Sequence, residues 1–143
     1  MKDKKIFIIE DDANLLYGLE AQFTADEFEV ETSTGEEELE EIMDQLQDFN
    51  PSYVILDLIL PKVDGFEIIK KMKADNELSE KQIFIFTDLS DEDSHQRSLA
   101  LGADYVFLKD EFDIFEFAEK IKKIIANQEK VSDKDEEDRD YEE

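Results

Sequence analysis

Acidic, hydroxyl and amine side chains directly follow four short apolar runs of this chain. Glu10 and Asp11 follow the first run, Asp57 follows the second, and Thr87 and Lys109 follow the last two. Carboxylates held close together repel one another, so such a cluster either raises a pKa or recruits a cation. Oxygen ligands without His or Cys favour Mg²⁺ or a similar ion. A nucleophilic carboxylate, a metal ion, a lysine and a hydroxyl are together the components of a phosphoryl-transfer site.

Each of these positions also has an ordinary structural interpretation. Acidic residues are common at helix N-caps, and Asp12 suits that role. Thr87 is equally compatible with a turn, and a lysine after a strand is commonly solvated. The occurrence of one chemically useful group after each of four apolar runs is what favours a single site over unrelated residues.

Apolar runs and amphipathic stretches alternate along the chain, and the order strand then helix is repeated five times. The predicted strands are 6–9, 28–32, 53–56, 83–86 and 105–108, and the last two predicted helices are 91–101 and 112–127. Strands that alternate with helices indicate a parallel sheet covered on both faces. The predicted fold is therefore α/β, a doubly wound (βα)5 five-stranded parallel sheet in a three-layer sandwich. In such sheets functional groups lie at the carboxyl ends of the strands.

Length and patterning indicate one domain followed by a tail. The 143 residues can form one domain with a proper core, whereas two domains would be cramped. We place that domain at residues 1–127. From about residue 128 the apolar pattern stops, and the acidic segment 128–143 is predicted to be a disordered tail or the start of a linker.

A formal net charge of −25 restricts the kinds of molecule that this chain is expected to bind. A chain this acidic repels phosphate backbones and anionic lipid surfaces, which disfavours direct nucleic-acid binding. The absence of cysteine excludes a disulfide framework and any cysteine-based metal site. No apolar run approaches the length of a membrane span, and the N-terminal segment does not have the pattern of a signal peptide. These features favour a cytoplasmic protein without membrane insertion.

Residues 4–127 resemble the receiver domain of response regulators, the CheY-like phosphoacceptor module of two-component signal transduction. The acidic pair of that family corresponds to Glu10 and Asp11 in IFIIEDD. The segment VILDLILPKVDGFEII matches the phosphorylation-site motif, with Asp57 at the acceptor position. FIFT places Thr87 at the hydroxyl position, and LGADYVFLK places Lys109 at the lysine position. The resemblance implies a flavodoxin-like fold of the kind predicted above.

The resemblance also implies an acceptor and a set of metal ligands. Asp57 would attack the phosphorus of a phosphohistidine on a sensor histidine kinase or phosphotransfer protein. Asp11 and Asp57 would bind Mg²⁺ directly, and Glu10 would bind it directly or through water. The backbone carbonyl of Ile59 would be a further ligand.

The same resemblance implies a switch rather than a metabolic enzyme. Lys109 would pair with the acyl phosphate, and Thr87 would move toward it and bias helix 91–101 and the fifth strand. A downstream protein effector would read that change. The face built from residues 91–127 is the family's usual output surface and its usual homodimer contact.

Four departures from the family pattern carry expectations of their own. Asp110 replaces the proline that usually follows the lysine, so we expect a trans peptide bond before it. Asp88 replaces a small residue and should repel anionic phosphodonors. Val106 occupies the usual aromatic switch position, which puts aromatic coupling in doubt. Ile59 and Leu89 are apolar and could shield the phosphoryl group from water, so we expect slow self-dephosphorylation.

Other functions of α/β proteins fit these residues less well. A flavodoxin-like electron carrier needs a loop that cradles phosphate after the first strand, where this chain has carboxylates. A haloacid-dehalogenase-type phosphatase needs a second Asp where Ile59 stands. The alternative left open is a phosphorylation-independent pseudo-receiver that acts as a protein-interaction module. His95, the only histidine, is interpreted as an exposed helix residue.

Overall fold

The computed structural model describes the backbone of residues 4–141 and the side chains of residues 4–129. Strand and helix alternate throughout, as the sequence predicts. In chain order the elements are β1 Lys5–Ile9, α1 Ala13–Ala25, β2 Glu29–Ser33, α2 Leu39–Phe49, β3 Tyr53–Leu56, α3 Gly65–Ala74, β4 Gln82–Thr87, α4 Glu92–Leu101, β5 Tyr105–Leu108 and α5 Ile114–Tyr141.

The five strands form one parallel sheet in the order β2-β1-β3-β4-β5. The chain winds from β1 outward to β2, then returns to the other side of β1 and continues through β3, β4 and β5. This confirms the predicted doubly wound α/β fold. The direction of winding changes between β1 and β3, and a crevice opens at such a point beyond the carboxyl ends of the strands.

Helices cover both faces of the sheet. On one face α1 and α5 enclose a cluster that includes Phe23, Phe84 and Phe117. On the other face α2, α3 and the end of α4 enclose a cluster that includes Ile42 and Leu56. Because β1 and β3 are buried on both sides, their sequences are apolar without alternation. Each large apolar side chain buried in this way contributes about 1.5–3 kcal/mol, and these contacts hold the strand ends in place.

Residues of β5 alternate between the two faces of the sheet. Tyr105 and Phe107 pack on the side of α1 and α5, and Val106 packs on the opposite side. Phe107 contacts Phe117 of α5 edge to face, with ring centroids 5.5 Å apart. The aromatic side chains of β5 therefore lie on the α5 side of the sheet, not on the α4 side.

The last helix is longer than the sequence pattern indicates. The apolar face ends near residue 128, yet α5 continues to Tyr141. Residues 128–141 contain no Gly or Pro and are rich in Glu, Lys and Arg, which have high helix propensity, so the backbone can continue as a helix. The disordered tail or linker predicted at 128–143 stays a prediction, because only the backbone is described beyond residue 129, and residues 142–143 lie outside the described part. Within that part, no helix combines the length and the apolar character that a membrane span requires.

Candidate functional site

The carboxyl ends of four strands bring all five predicted side chains to one edge of the sheet. Glu10 and Asp11 follow β1, Asp57 follows β3, Thr87 ends β4 and Lys109 follows β5. Backbone hydrogen bonds fix these ends against one another. The Asp57 N–H donates to the last carbonyl of β1 at 3.1 Å, and the Lys109 N–H donates to the Thr87 carbonyl at 2.9 Å. The predicted convergence is therefore present.

Three carboxylates form a compact cluster at this edge. One oxygen from each of Glu10, Asp11 and Asp57 lies within 4.8 Å of the others. Glu10 and Asp57 are only 2% and 4% exposed, whereas Asp11 is exposed. Two of the carboxylates are therefore removed from water and lie in a buried environment. An uncompensated charge is costly in such an environment. The exposed one leaves the cluster open to solvent on one side.

Lys109 supplies the positive charge that faces this cluster. Its Nζ lies 2.7 Å from Glu10 Oε1 and 2.7 Å from Asp57 Oδ2. The other oxygen of Glu10 accepts the Asp12 N–H at 3.1 Å. Asp12 also caps α1, accepting the Leu15 N–H, as its position in the sequence predicts. One ammonium group thus stands against three carboxylates, and the site keeps an excess of negative charge.

Burial changes the ionisation of two of these groups. Desolvation raises the pKa of Glu10 to about 7, and the nearby charge of Asp57 acts in the same direction, although the hydrogen bond from Lys109 opposes them. Burial by itself would lower the pKa of Lys109, but its hydrogen bonds to Asp57 and Glu10 outweigh that effect and raise the pKa above its usual value. The lysine therefore stays charged at neutral pH, while Glu10 can exchange a proton there.

Thr87 is fully buried at the end of β4. Its Oγ1 accepts the Leu89 N–H at 3.3 Å, and its carbonyl accepts the Lys109 N–H. The hydroxyl thus belongs to the loop between β4 and α4, and the backbone of the same residue is tied to that of the site lysine.

The loop after β3 holds Asp57 from its other side. The Ile59 N–H donates to Asp57 Oδ1 at 3.2 Å, so the two carboxylate oxygens have different partners. Gly65 begins α3 where it crosses this loop, and a Cβ there would lie 2.6 Å from Leu58 Cα. Only glycine permits that approach, which explains the Asp-Gly pair in the sequence. The role of the Ile59 carbonyl as a metal ligand stays a prediction.

The positions that depart from the family pattern are placed as follows. The peptide bond between Lys109 and Asp110 is trans, as expected, and no cis bond occurs among the described residues. Asp88 is exposed directly after Thr87. Ile59 is 51% exposed, whereas Leu89 is half-buried against the apolar cluster between the sheet and α2 and α3.

His95 differs from the sequence interpretation. Its side chain on α4 is half-buried, not exposed, and its Nε2 lies 2.7 Å from the carbonyl oxygen of Leu89. The contact joins a helix to the loop that precedes it. Histidine often lies on the solvated face of a helix, so the sequence alone does not indicate that His95 makes this contact.

The raised pKa of Glu10 predicts a pH dependence of stability. In the unfolded chain Glu10 ionises near its ordinary pKa of 4.5, whereas in the folded protein it does so near 7. The folded state binds more protons between these values, so this group's contribution to the free energy of unfolding falls as pH rises through that range. As pH rises through this range, the free energy of unfolding of the wild type should fall by at most about 3 kcal/mol relative to that of Glu10→Gln, which cannot titrate at this position. Urea unfolding from about pH 5 to about pH 7.5 with a chelator present measures the difference, and parallel pH profiles of the two proteins would contradict the expectation.

Comparison with known proteins agrees with this arrangement. The family of response regulator receiver domains matches residues 6–122. Among curated proteins, the response regulator protein GraR of Staphylococcus aureus strain JH9 is 35% identical over 100 residues, which are 70% of this chain and 42% of that protein. This chain thus spans less than half the length of that relative.

Solved structures show the same fold. Chemotaxis response regulator CheY4 of Vibrio cholerae, in crystals at low pH, has a TM-score of 0.74 at 19% identity, covering 85% of this chain and 98% of its own. The Mn²⁺-bound form of response regulator Rcp1 has a TM-score of 0.71 at 22% identity, covering 82% and 91%. At these identities the likeness establishes the CheY-like architecture alone. With the family match across most of the chain, it follows that the protein belongs to the response regulator receiver domains of two-component systems.

Proposed function

We propose that this receiver accepts a phosphoryl group on Asp57 from a sensor histidine kinase or phosphotransfer protein, with Mg²⁺ bound, and then presents an altered surface to a protein partner. The observation that carries the proposal is the convergence on one buried carboxylate. Asp57 has a carboxylate cluster on one side and the Lys109 ammonium 2.7 Å away on another.

The transfer itself requires little of the protein beyond position and charge. A carboxylate oxygen of Asp57 attacks the phosphorus of a phosphohistidine on the partner. The new P–O bond forms as the P–N bond breaks, and the electron pair stays on the imidazole nitrogen, which takes up a proton from water. The chain would therefore be a phosphoacceptor and signalling domain rather than an enzyme that turns over a metabolite.

The donor set of the site suits Mg²⁺. Its ligands are carboxylate oxygens, which hard divalent cations prefer, and one open side leaves room for the waters that Mg²⁺ retains. Glu10, Asp11 and Asp57 would hold the ion, and we propose the Ile59 carbonyl as a further ligand. When bound, the ion neutralises charge on the phosphoryl oxygens. The Mn²⁺-bound form of the neighbour Rcp1 supports a divalent cation here.

Lys109 and Thr87 would respond once Asp57 is modified. The Lys109 ammonium is already directed at Asp57 Oδ2, so it can turn to a phosphoryl oxygen on the same side chain with little movement. The Thr87 hydroxyl lies at the end of the adjacent strand and can donate to another oxygen. Because Thr87 is bonded to the loop before α4, its movement would bias that loop and helix.

The surface that changes would include α4, β5 and the first part of α5, residues 91–127. We propose that a downstream protein, or a second copy of the chain, binds this surface and so responds to the change.

The departures from the family pattern at Val106 and Asp88 leave the phosphorylation-independent pseudo-receiver as the alternative function. The phosphorylation test described below excludes or supports it. The partner proteins are expected in the cytoplasm, where two-component receivers meet their kinases.

Intact-protein mass after incubation with acetyl phosphate and Mg²⁺ tests the proposal. We expect a single phosphoryl adduct on the wild type because Asp57 is the nucleophile. The adduct should be absent from Asp57→Asn and strongly reduced when a chelator removes Mg²⁺.

Asp48→Asn is the matched control, since Asp48 is an exposed carboxylate in the last turn of α2. It lies next to Phe49, whose carbonyl accepts from Lys5 at the start of β1, the end of the strand opposite to the cluster. This variant should be modified as the wild type is. An adduct that persists in Asp57→Asn would contradict Asp57 as acceptor. If no adduct forms on the wild type, even with several histidine kinases as donors, the pseudo-receiver becomes the better account.

Asp88 should slow small anionic donors. Its carboxylate is exposed next to Thr87, and replacing it with Ala removes one repelling charge. We expect phosphorylation by acetyl phosphate to become about two- to fivefold faster at low ionic strength, with the gain shrinking as salt is added. Asp88→Glu keeps the charge and should match the wild type. Equal rates for Asp88→Ala and wild type at low salt would refute the effect.

A further inference from the structure

The four-residue connection between β4 and α4, residues 88–91, is held at several points by side chains. At its start, Thr87 Oγ1 accepts the Leu89 N–H at 3.3 Å. At its end, the N-cap Asp91 accepts the Ser94 N–H at 3.0 Å. In between, His95 Nε2 lies 2.7 Å from the Leu89 carbonyl. The Leu89 residue is therefore bonded through both its N–H and its C=O.

The hydrogen bond between His95 and the Leu89 carbonyl can have only one direction. A carbonyl oxygen can only accept, so the imidazole donates from Nε2. A neutral ring must then be the Nε2–H tautomer, and a protonated ring carries the same N–H. The contact does not depend on which of these forms is present. It depends on a ring nitrogen donor at this position of α4, one turn into the helix.

The bonded groups form a continuous path from the site to α4. Thr87 Oγ1 takes part in one hydrogen bond among the described residues, and its donor is the Leu89 N–H. The Leu89 side chain is itself half-buried against the apolar cluster under α2 and α3. The Leu89 N–H and C=O belong to the two peptide groups on either side of the Leu89 Cα. A movement of Thr87 that carries the first of these groups with it therefore also moves the second and stretches its bond to His95.

We infer that His95 is a positioning residue for Thr87, holding the backbone of Leu89 through its carbonyl so that the arrangement without a phosphoryl group is favoured. The inference rests on the proposed function, because it assumes that Thr87 moves toward a group on Asp57. An interaction made in one state and lost in the other stabilises the first. Removing the donor should accordingly shift the equilibrium toward the state with Thr87 engaged.

Two substitutions separate the donor from the packing. His95→Phe keeps an aromatic ring and removes the N–H, whereas His95→Gln keeps an amide N–H at a comparable reach. In the free protein, hydrogen exchange at the Leu89 amide should become about two- to tenfold faster in His95→Phe, the range that one hydrogen bond of ordinary strength produces. The amide of His95→Gln should exchange as in the wild type. Unchanged exchange in His95→Phe would overturn the claim that His95 holds the loop.

The coupling to Thr87 is measured with beryllofluoride, a phosphoryl analogue, in the presence of Mg²⁺. Titration followed by ¹⁵N-resolved amide spectra gives the affinity. His95→Phe should bind the analogue about two- to tenfold more tightly than the wild type, and His95→Gln should restore the wild-type value. A residue with only a structural role would lower the melting temperature and leave this affinity unchanged.

The outcomes are distinguishable. Equal affinity in His95→Phe and wild type, or weaker binding in His95→Phe, would overturn the positioning role. If the wild type neither binds beryllofluoride nor forms an adduct on Asp57, the proposed function fails and the coupling to Thr87 fails with it. Exchange at the Leu89 amide would still decide whether His95 holds the loop.

Discussion

An ammonium group held between two buried carboxylates organises the carboxyl edge of this sheet. Lys109 Nζ is 2.7 Å from both Glu10 and Asp57, whose side chains are almost entirely removed from water. Burying an unpaired charge has a high free-energy cost, so the lysine is needed to stabilise the state in which both carboxylates are ionised. Asp11 adds a third carboxylate at the exposed side. The single positive charge of Lys109 cannot neutralise three carboxylates. The site therefore keeps an excess of negative charge, which a bound divalent cation would neutralise. In the proposed function, phosphorylation would redistribute charge among groups that are already in place.

The strand order is what makes that contact reachable. Lys109 and Asp57 are 52 positions apart in sequence, and β4 lies between β5 and β3 in the sheet. Adjacent strands are about 4.8 Å apart, so the lysine must reach across roughly 10 Å at the strand ends. Its long side chain can do so, and it passes the end of β4, where Thr87 stands. Glu10 approaches from β1 on the far side of β3. A hydroxyl, carboxylates and an amine are therefore brought together by the strand order of the sheet.

Much of this could be predicted from sequence because the relevant signals are local. The apolar runs gave the strands, and a parallel α/β order implies that their carboxyl ends share one edge. Asp57, Thr87 and Lys109 were placed by that rule and by motif. The pairing of Lys109 with Glu10 as well as Asp57 could not be predicted, because spacing does not reveal which carboxylate a long side chain reaches. The contact of His95 with the Leu89 carbonyl was missed because its acceptor is a backbone atom, which no residue type marks. The extension of α5 to Tyr141 was missed because amphipathic patterning reports packing, whereas helix propensity alone can continue a helix.

Because of its excess of negative charge, we expect the carboxylate cluster to bind one divalent cation. Calorimetric titration of the protein with Mg²⁺ tests it most directly, using Asp11→Asn to remove one carboxylate of the cluster and Asp12→Asn as the matched control. Asp12 lies next to the cluster but caps α1, and Asn is an equally good N-cap, so the control retains the fold. We expect saturable binding of one ion to the wild type and to Asp12→Asn, with affinity for Asp11→Asn reduced by about tenfold or more. Binding of equal strength to wild type and Asp11→Asn, or no saturable binding to the wild type, would contradict the account.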